Sequence, residues 1–122
     1  MKVAGFGFRK DAPYESLCAA LHLVEAVGGP ATALATVSAK ASAPALRRLA
    51  TDRGLTLMSV SVAGVETPTQ SPRVQALYAT GSVAEAAALA AAGKFSTLIV
   101  GRMATPDGST TCAMALGNGA NE

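Results

Sequence analysis

The run Lys2-Val3-Ala4-Gly5-Phe6-Gly7-Phe8, followed at a helix's distance by Gly28-Gly29-Pro30 and Ala33-Leu34-Ala35-Thr36-Val37, decides how this chain folds. The first run is short, apolar and broken by two glycines, so it reads as a buried strand entering a glycine turn. Asp11 offers an N-cap, and Pro13 suits a first helical turn. Leu17, Leu21, Val24 and Gly28 then recur on one face with the helical period, with Ala20, Leu23 and Val27 beside it. Gly28-Gly29-Pro30 stops that helix. Ala33–Val37 is again short and apolar, as a central strand should be. Strand, helix and strand in this order predict a parallel pair with a right-handed crossover.

The pattern continues outward. Ser42 and Pro44 open a second helix with Leu46, Leu49 and Ala50 inward and Arg47, Arg48 and Arg53 outward, ending at Gly54. Leu55 to Val62 predicts a third strand. A polar loop follows, and Ser71-Pro72 predicts a short helix reaching Thr80-Gly81. Ser82-Val83-Ala84-Glu85 matches a capping box, in which Ser82 accepts one end-of-helix amide and Glu85 reaches back for another. The alanine-rich helix behind it runs to Gly93. Thr97 to Gly101 predicts a fourth strand, Pro106-Asp107-Gly108 a turn, and Thr110 to Leu116 a fifth. About eight residues join the last two strands, which suits a hairpin and makes the final strand antiparallel. The expected architecture is a three-layer α/β/α sandwich with a mixed, mostly parallel sheet of about five strands, one domain over residues 1–122.

Composition agrees and excludes several classes. The chain has 122 residues, half of them apolar and 15% charged, with a mean hydropathy of +0.34; disordered chains are far more polar. Aromatics make up 4% and about a fifth of the residues are alanine, so helices are expected to approach strands closely. The net charge of +2 is too weak for a nucleic-acid partner. Cys18 and Cys112 form neither a disulfide framework nor a metal spacing, which favours a reducing cytoplasm. The most apolar stretch, Val83 to Ala92, falls far short of the ~20 residues that span a bilayer, so no membrane partner is expected.

In open α/β sheets ligands lie beyond the carboxyl ends of the parallel strands. The strands deliver Gly5, Gly7, Arg9 and Lys10, then Thr36, Ser38 and Lys40, then Ser61, the loop to Ser71 and Arg73, then Gly101, Arg102 and Met103. Arg9, Lys10, Lys40, Arg73 and Arg102 are half of the ten basic residues, and Asp11, Glu66 and Asp107 dilute them. Gly5-x-Gly7 resembles the opening of a dinucleotide fingerprint, but the third glycine is Lys10 and no acidic residue ends the second strand. The two glycines suit either a ligand near the backbone or a helix packed against it. Glu85 and Ser71 read as helix caps. His22 lies with Glu15, Cys18 and Glu25 away from the apolar face, so neither a metal site nor a Ser-His-Asp set is available, and no cofactor is expected.

Four segments together resemble a known family: Gly5-Phe6-Gly7-Phe8-Arg9-Lys10, Ala35-Thr36-Val37-Ser38-Ala39-Lys40, Thr80-Gly81-Ser82-Val83-Ala84-Glu85-Ala86-Ala87-Ala88-Leu89, and Thr110-Thr111-Cys112-Ala113-Met114-Ala115. They are similar, in order and over nearly the whole chain, to the CobE proteins and the CbiG C-terminal domain of cobalamin biosynthesis. The resemblance implies a role in building the corrin ring, with a precorrin or corrinoid as ligand and other enzymes of that pathway as partners. It implies ligand-facing roles for Gly5, Gly7, Arg9, Thr36, Lys40 and Ser71, to which the strand-end reading adds Lys10 and Arg102. Family members often carry Lys where this chain has Arg102, and Cys where it has Phe8. CbiG is associated with opening a precorrin lactone, so a hydrolase or isomerase acting through Lys40 or Thr36 stands as an alternative to a binding protein. A nucleotide or phosphate binder at the Gly5–Lys10 turn stands third.

Overall fold

A computed structural model describes residues 1–68, 70 and 82–118. The elements are β1 (Lys2–Phe8), α1 (Tyr14–Gly28), β2 (Ala33–Val37), a 3-10 turn (Ser38–Lys40), α2 (Pro44–Arg53), β3 (Thr56–Val60), α3 (Val83–Ala92), β4 (Thr97–Ala104) and β5 (Thr110–Leu116). The five strands lie in the order β3-β2-β1-β5-β4. β1 pairs in parallel with β2, and β2 with β3. β5 runs antiparallel to both β1 and β4. The expected mixed sheet and antiparallel last strand are therefore present. The expected short helix after Ser71 lies outside the described residues.

Two apolar layers flank the sheet. Under α1 and α2, Phe6, Leu17, Leu21, Val24, Leu34, Leu46 and Met114 form one core. On the opposite face Ala86, Ala87, Ala88, Ala91 and Ala92 of α3 meet Val3, Ala33, Ala35, Val37 and Ala115. The second layer is nearly all methyl groups, so the helix backbone itself touches the sheet. A Cβ added at Gly5 would sit 2.2 Å from the Ala84 carbonyl oxygen and 2.5 Å from the Ala88 nitrogen. The small-residue composition thus takes effect at one contact: α3 lies on β1 where β1 has no side chain.

Helix ends depart from expectation. Neither Asp11 nor Ser42 caps a helix: Pro13 and Ala43 occupy the N-cap positions, with no side-chain cap bond. Proline explains the second case, because Pro44 at the start of α2 presets φ and removes a donor that a cap would otherwise serve. Ser82 does cap α3, its hydroxyl accepting from the Glu85 amide at 3.3 Å. Gly54 ends α2 in the left-handed region at φ 65°, a conformation that glycine adopts without a Cβ penalty. β3 is shorter than expected. β4 is longer, running past Gly101 to Ala104 with two register shifts against β5. Of the residues assigned to the inward face of α1, Leu17, Leu21 and Val24 are fully buried, while Val27 in the last turn is 67% exposed.

Candidate functional site

The strand order places a topological switch at β1. The chain steps from β1 to β2 to β3 in one direction, then crosses back through α3 to β4 on the far edge. Ligands of open α/β sheets settle at the carboxyl ends of the strands beside such a reversal. Here that is the segment from Phe8 to Lys10.

β1 and β2 are paired only as far as Gly5 and Ala35. Beyond that point two side chains of the β2 segment take over the carbonyls of β1. The Thr36 hydroxyl donates to the Phe6 carbonyl at 2.9 Å, and the Lys40 ammonium donates to the Phe8 carbonyl. Lys40 also stands over the Phe8 ring, 5.0 Å from its centroid, a cation–π arrangement. The 3-10 turn that begins at Ser38 curls the chain so that Lys40 reaches back to β1. Ser38 is joined to Ser59 of β3 through their hydroxyls at 3.1 Å.

On the other side of β1, the Thr111 hydroxyl donates to the Gly7 carbonyl at 3.1 Å, and the Arg9 amide donates to the Ser109 carbonyl at 2.9 Å. The turn that carries Ser109 is organised by Asp107. Its carboxylate accepts from the hydroxyls of Ser16, Thr105 and Ser109 and from the Ser109 amide. Those donors, Ser16 first, hold Asp107 well below the usual carboxylate range. Asp107 thereby fastens the β4–β5 turn to the first turn of α1, and its charge is satisfied within the protein. The spacing of Pro106-Asp107-Gly108 reveals the turn but not the tie to Ser16, 91 residues away.

The nominated residues separate into groups. Arg9 and Lys10 are exposed on the turn after β1, and Lys40 is half-buried beside them. Of the three, Lys40 contacts Phe8, through its carbonyl and its ring, and Arg9 and Lys10 follow Phe8 directly in the chain. Thr36 is fully buried and acts within the sheet. Gly5 and Gly7 underlie α3 and Thr111: a Cβ at Gly7 would lie 2.9 Å from the Thr111 hydroxyl and 3.4 Å from the Val83 Cβ. Arg102 lies inside β4 and not beyond its end, with its side chain exposed on the edge strand. Ser71 and Arg73 lie outside the described residues. Met103, a candidate pocket wall, packs against the core under α1. Cys112 is fully buried, and burial pushes its thiol up. A shallow groove of about 280 Å³ lined by Arg47, Ala50, Thr51, Gly54, Leu55 and Leu57 lies at the opposite end of the sheet, where β3 begins.

Outside the strand ends, the Tyr14 hydroxyl donates to Asp52 at 2.6 Å, which is the main reason that its phenol is held above its ordinary value. Glu25 binds Arg53 at 2.6 Å and accepts the Ala31 amide at 2.9 Å. Partial burial opposes ionisation of Glu25, but these two donors outweigh it and hold the carboxyl below its ordinary value. Both contacts clamp α1 to α2.

A mixed sheet covered by helices on both faces defines a domain of the three-layer α/β/α class. The family model described as cobalamin synthesis G C-terminus matches residues 2–115, and the chain belongs to that family. Two solved structures are similar. One is the 1.7 Å crystal structure of CobE, a protein from the cobalamin (vitamin B12) biosynthetic pathway, at 27% identity, with a TM-score of 0.83 over 94% of this chain and 92% of that one. The other is cobalamin biosynthesis protein chiG from Agrobacterium tumefaciens, at 32% identity, with a TM-score of 0.74 over 97% of this chain and 99% of that one. No curated protein matches the chain. Membership in this family makes it a protein of cobalamin biosynthesis.

Proposed function

We propose that the protein binds a precorrin or corrinoid intermediate of cobalamin biosynthesis at the carboxyl end of β1. The observation that supports this reading is Lys40 held against the carbonyl and ring of Phe8, at the end of β1 where the exposed Arg9 and Lys10 follow. A corrinoid has a flat apolar macrocycle and a rim of acetate and propionate carboxylates. Hydrogen bonds from cations to carboxylates are among the strong ones, about 1.5–3 kcal/mol each. Arg102, exposed on the edge strand β4 two strands from β1, is the fourth cation of the proposed set. Thr36, Gly5 and Gly7 serve by fixing the strand ends, and Ser71 completes the set proposed from the sequence. Free Cys18 and Cys112 support placing this work in a reducing cytoplasm.

The test is anaerobic incubation with hydrogenobyrinic acid followed by gel filtration. Pigment should co-elute with the protein at close to one per chain, and less so at high salt. Pigment that elutes only at its own position ends this reading.

A further inference from the structure

We infer that Glu85 is a positioning residue for ligand binding: it pins a bulge in β4 and so keeps Arg102 turned outward. The inference rests on the corrinoid-binding reading and adds to it a residue that the ligand does not touch.

The bulge is visible in the register. Val100 pairs with Met114 and Met103 with Cys112, so three steps along β4 oppose two along β5. Its consequence is visible in the packing. Val100 and Met103 both join the core under α1, although they are three residues apart and alternate residues share a face in a regular strand. Without the extra residue, position 102 would follow Val100 onto the core face. Arg102 would then point into the space that Met103 fills. With the bulge, Met103 packs inward and Arg102 is exposed.

Bulges leave backbone groups off the ladder. Glu85 serves one of them: its Oε2 accepts from the Arg102 amide at 2.9 Å. Glu85 is 1% exposed and sits in the first turn of α3, its own amide donating to Ser82. A buried carboxylate is costly unless hydrogen-bonded, so filling space does not account for Glu at this position. Gly101 lies over the same Glu85 oxygen, where a Cβ would make an ordinary contact at 3.5 Å. The helix start and the bulge are thus one rigid unit that presents Arg102 on the edge of the sheet.

The experiment is a double-mutant cycle read by absorbance titration with hydrogenobyrinic acid. Arg102→Ala should weaken binding by about tenfold, the loss of one charge-assisted bond. Glu85→Ala should weaken it comparably in the wild-type background and cause little further loss in the Arg102→Ala background. Glu85→Gln retains an acceptor oxygen and should restore most of the affinity. Should Glu85→Ala fail to fold, Glu85→Asp keeps the charge but withdraws the carboxylate by one methylene and should reproduce the loss. The amide of Arg102 should exchange with deuterium faster in Glu85→Ala and Glu85→Asp than in Glu85→Gln. Multiplicative losses in the double variant, or unchanged Arg102 exchange, overturn the positioning role while leaving corrinoid binding intact. Absence of pigment binding by the wild type removes the binding reading, and with it the ligand role given to both residues.

Discussion

The hydroxyl of Thr36 donates to the carbonyl of Phe6 at 2.9 Å, one residue past the last paired position of β1 and β2. Side chains continue there what the backbone ladder leaves off, and they hold the ends of β1 and β2 together. Thr36→Val keeps the shape and leaves the Phe6 carbonyl without this donor. Both groups are buried, so unfolding by urea should show a loss of about 1–3 kcal/mol. Thr36→Ser should lose much less, and an unchanged stability of Thr36→Val would show that the hydroxyl bond to Phe6 contributes nothing.

Lys40 tests a different quantity. Its ammonium caps the Phe8 carbonyl at a half-exposed position, where a charged contact contributes about 1 kcal/mol or less to stability. Lys40→Met keeps the aliphatic stem, so the unfolding midpoint should hardly move. Affinity for hydrogenobyrinic acid should nonetheless fall by roughly tenfold, and its salt dependence should flatten because one screened charge is gone. Unchanged affinity with a lowered midpoint would assign Lys40 to the fold alone.

Gly5 should be the least tolerant position in β1. A methyl group there meets the backbone of α3 at 2.2 Å, and backbone does not swing aside as a side chain does. Gly5→Ala should cost about 3 kcal/mol or more, the upper range for overpacking. The measurement is the urea midpoint against that of Gly54→Asn, a change at an open left-handed position that should cost under about 1 kcal/mol.

Asp107 gives the fold an acid-sensitive tie. Its carboxyl is held below the ordinary range by the hydroxyls of Ser16 and Thr105 and the amide of Ser109. A group lowered in the folded state contributes stability that is in place above its unfolded pKa, about 4, and is lost as pH falls toward the folded value. The gap in unfolding midpoint between wild type and Asp107→Asn should therefore be widest at neutral pH and close below about pH 4. A gap independent of pH would mean that the ionised carboxylate is not what secures the turn.

Much of the architecture is open to reading because the periodic residues do their own positioning. Leu17, Leu21 and Val24 bury one stripe of α1, and Lys2–Phe8 and Ala33–Val37 are strands with the bounds that their apolar runs suggest. Ser82 announces α3 through its cap. The caps assigned to Asp11 and Ser42 are not made: Pro13 occupies the N-cap of α1, and Pro44 settles the start of α2 without a cap. For the proposed site, Arg9, Lys10 and Lys40 can be nominated from sequence because they follow the strand ends, where ligands collect in this class of sheet. The roles of Gly5, Thr36 and Arg102 are not recoverable in the same way. Each depends on a partner far away in sequence: Ala84 for Gly5, Phe6 for Thr36, Glu85 for Arg102. Nothing local marks the extra residue in β4, because a bulge is a mismatch between two strands and not a property of either one.

β5 is the last strand among the described residues yet interior in the sheet, seated between β1 and β4. During synthesis β1, β2 and β3 can pair as they emerge, but β4 has no strand to join until residues 110–116 arrive. The β1–β5 pairing joins residues more than a hundred positions apart, a long-range closure of the slow-forming kind. Until that closure one flank of β1 and the pairing edge of β4 stand open, so the interval of greatest exposure to aggregation is the one before residues 110–116 are made and paired.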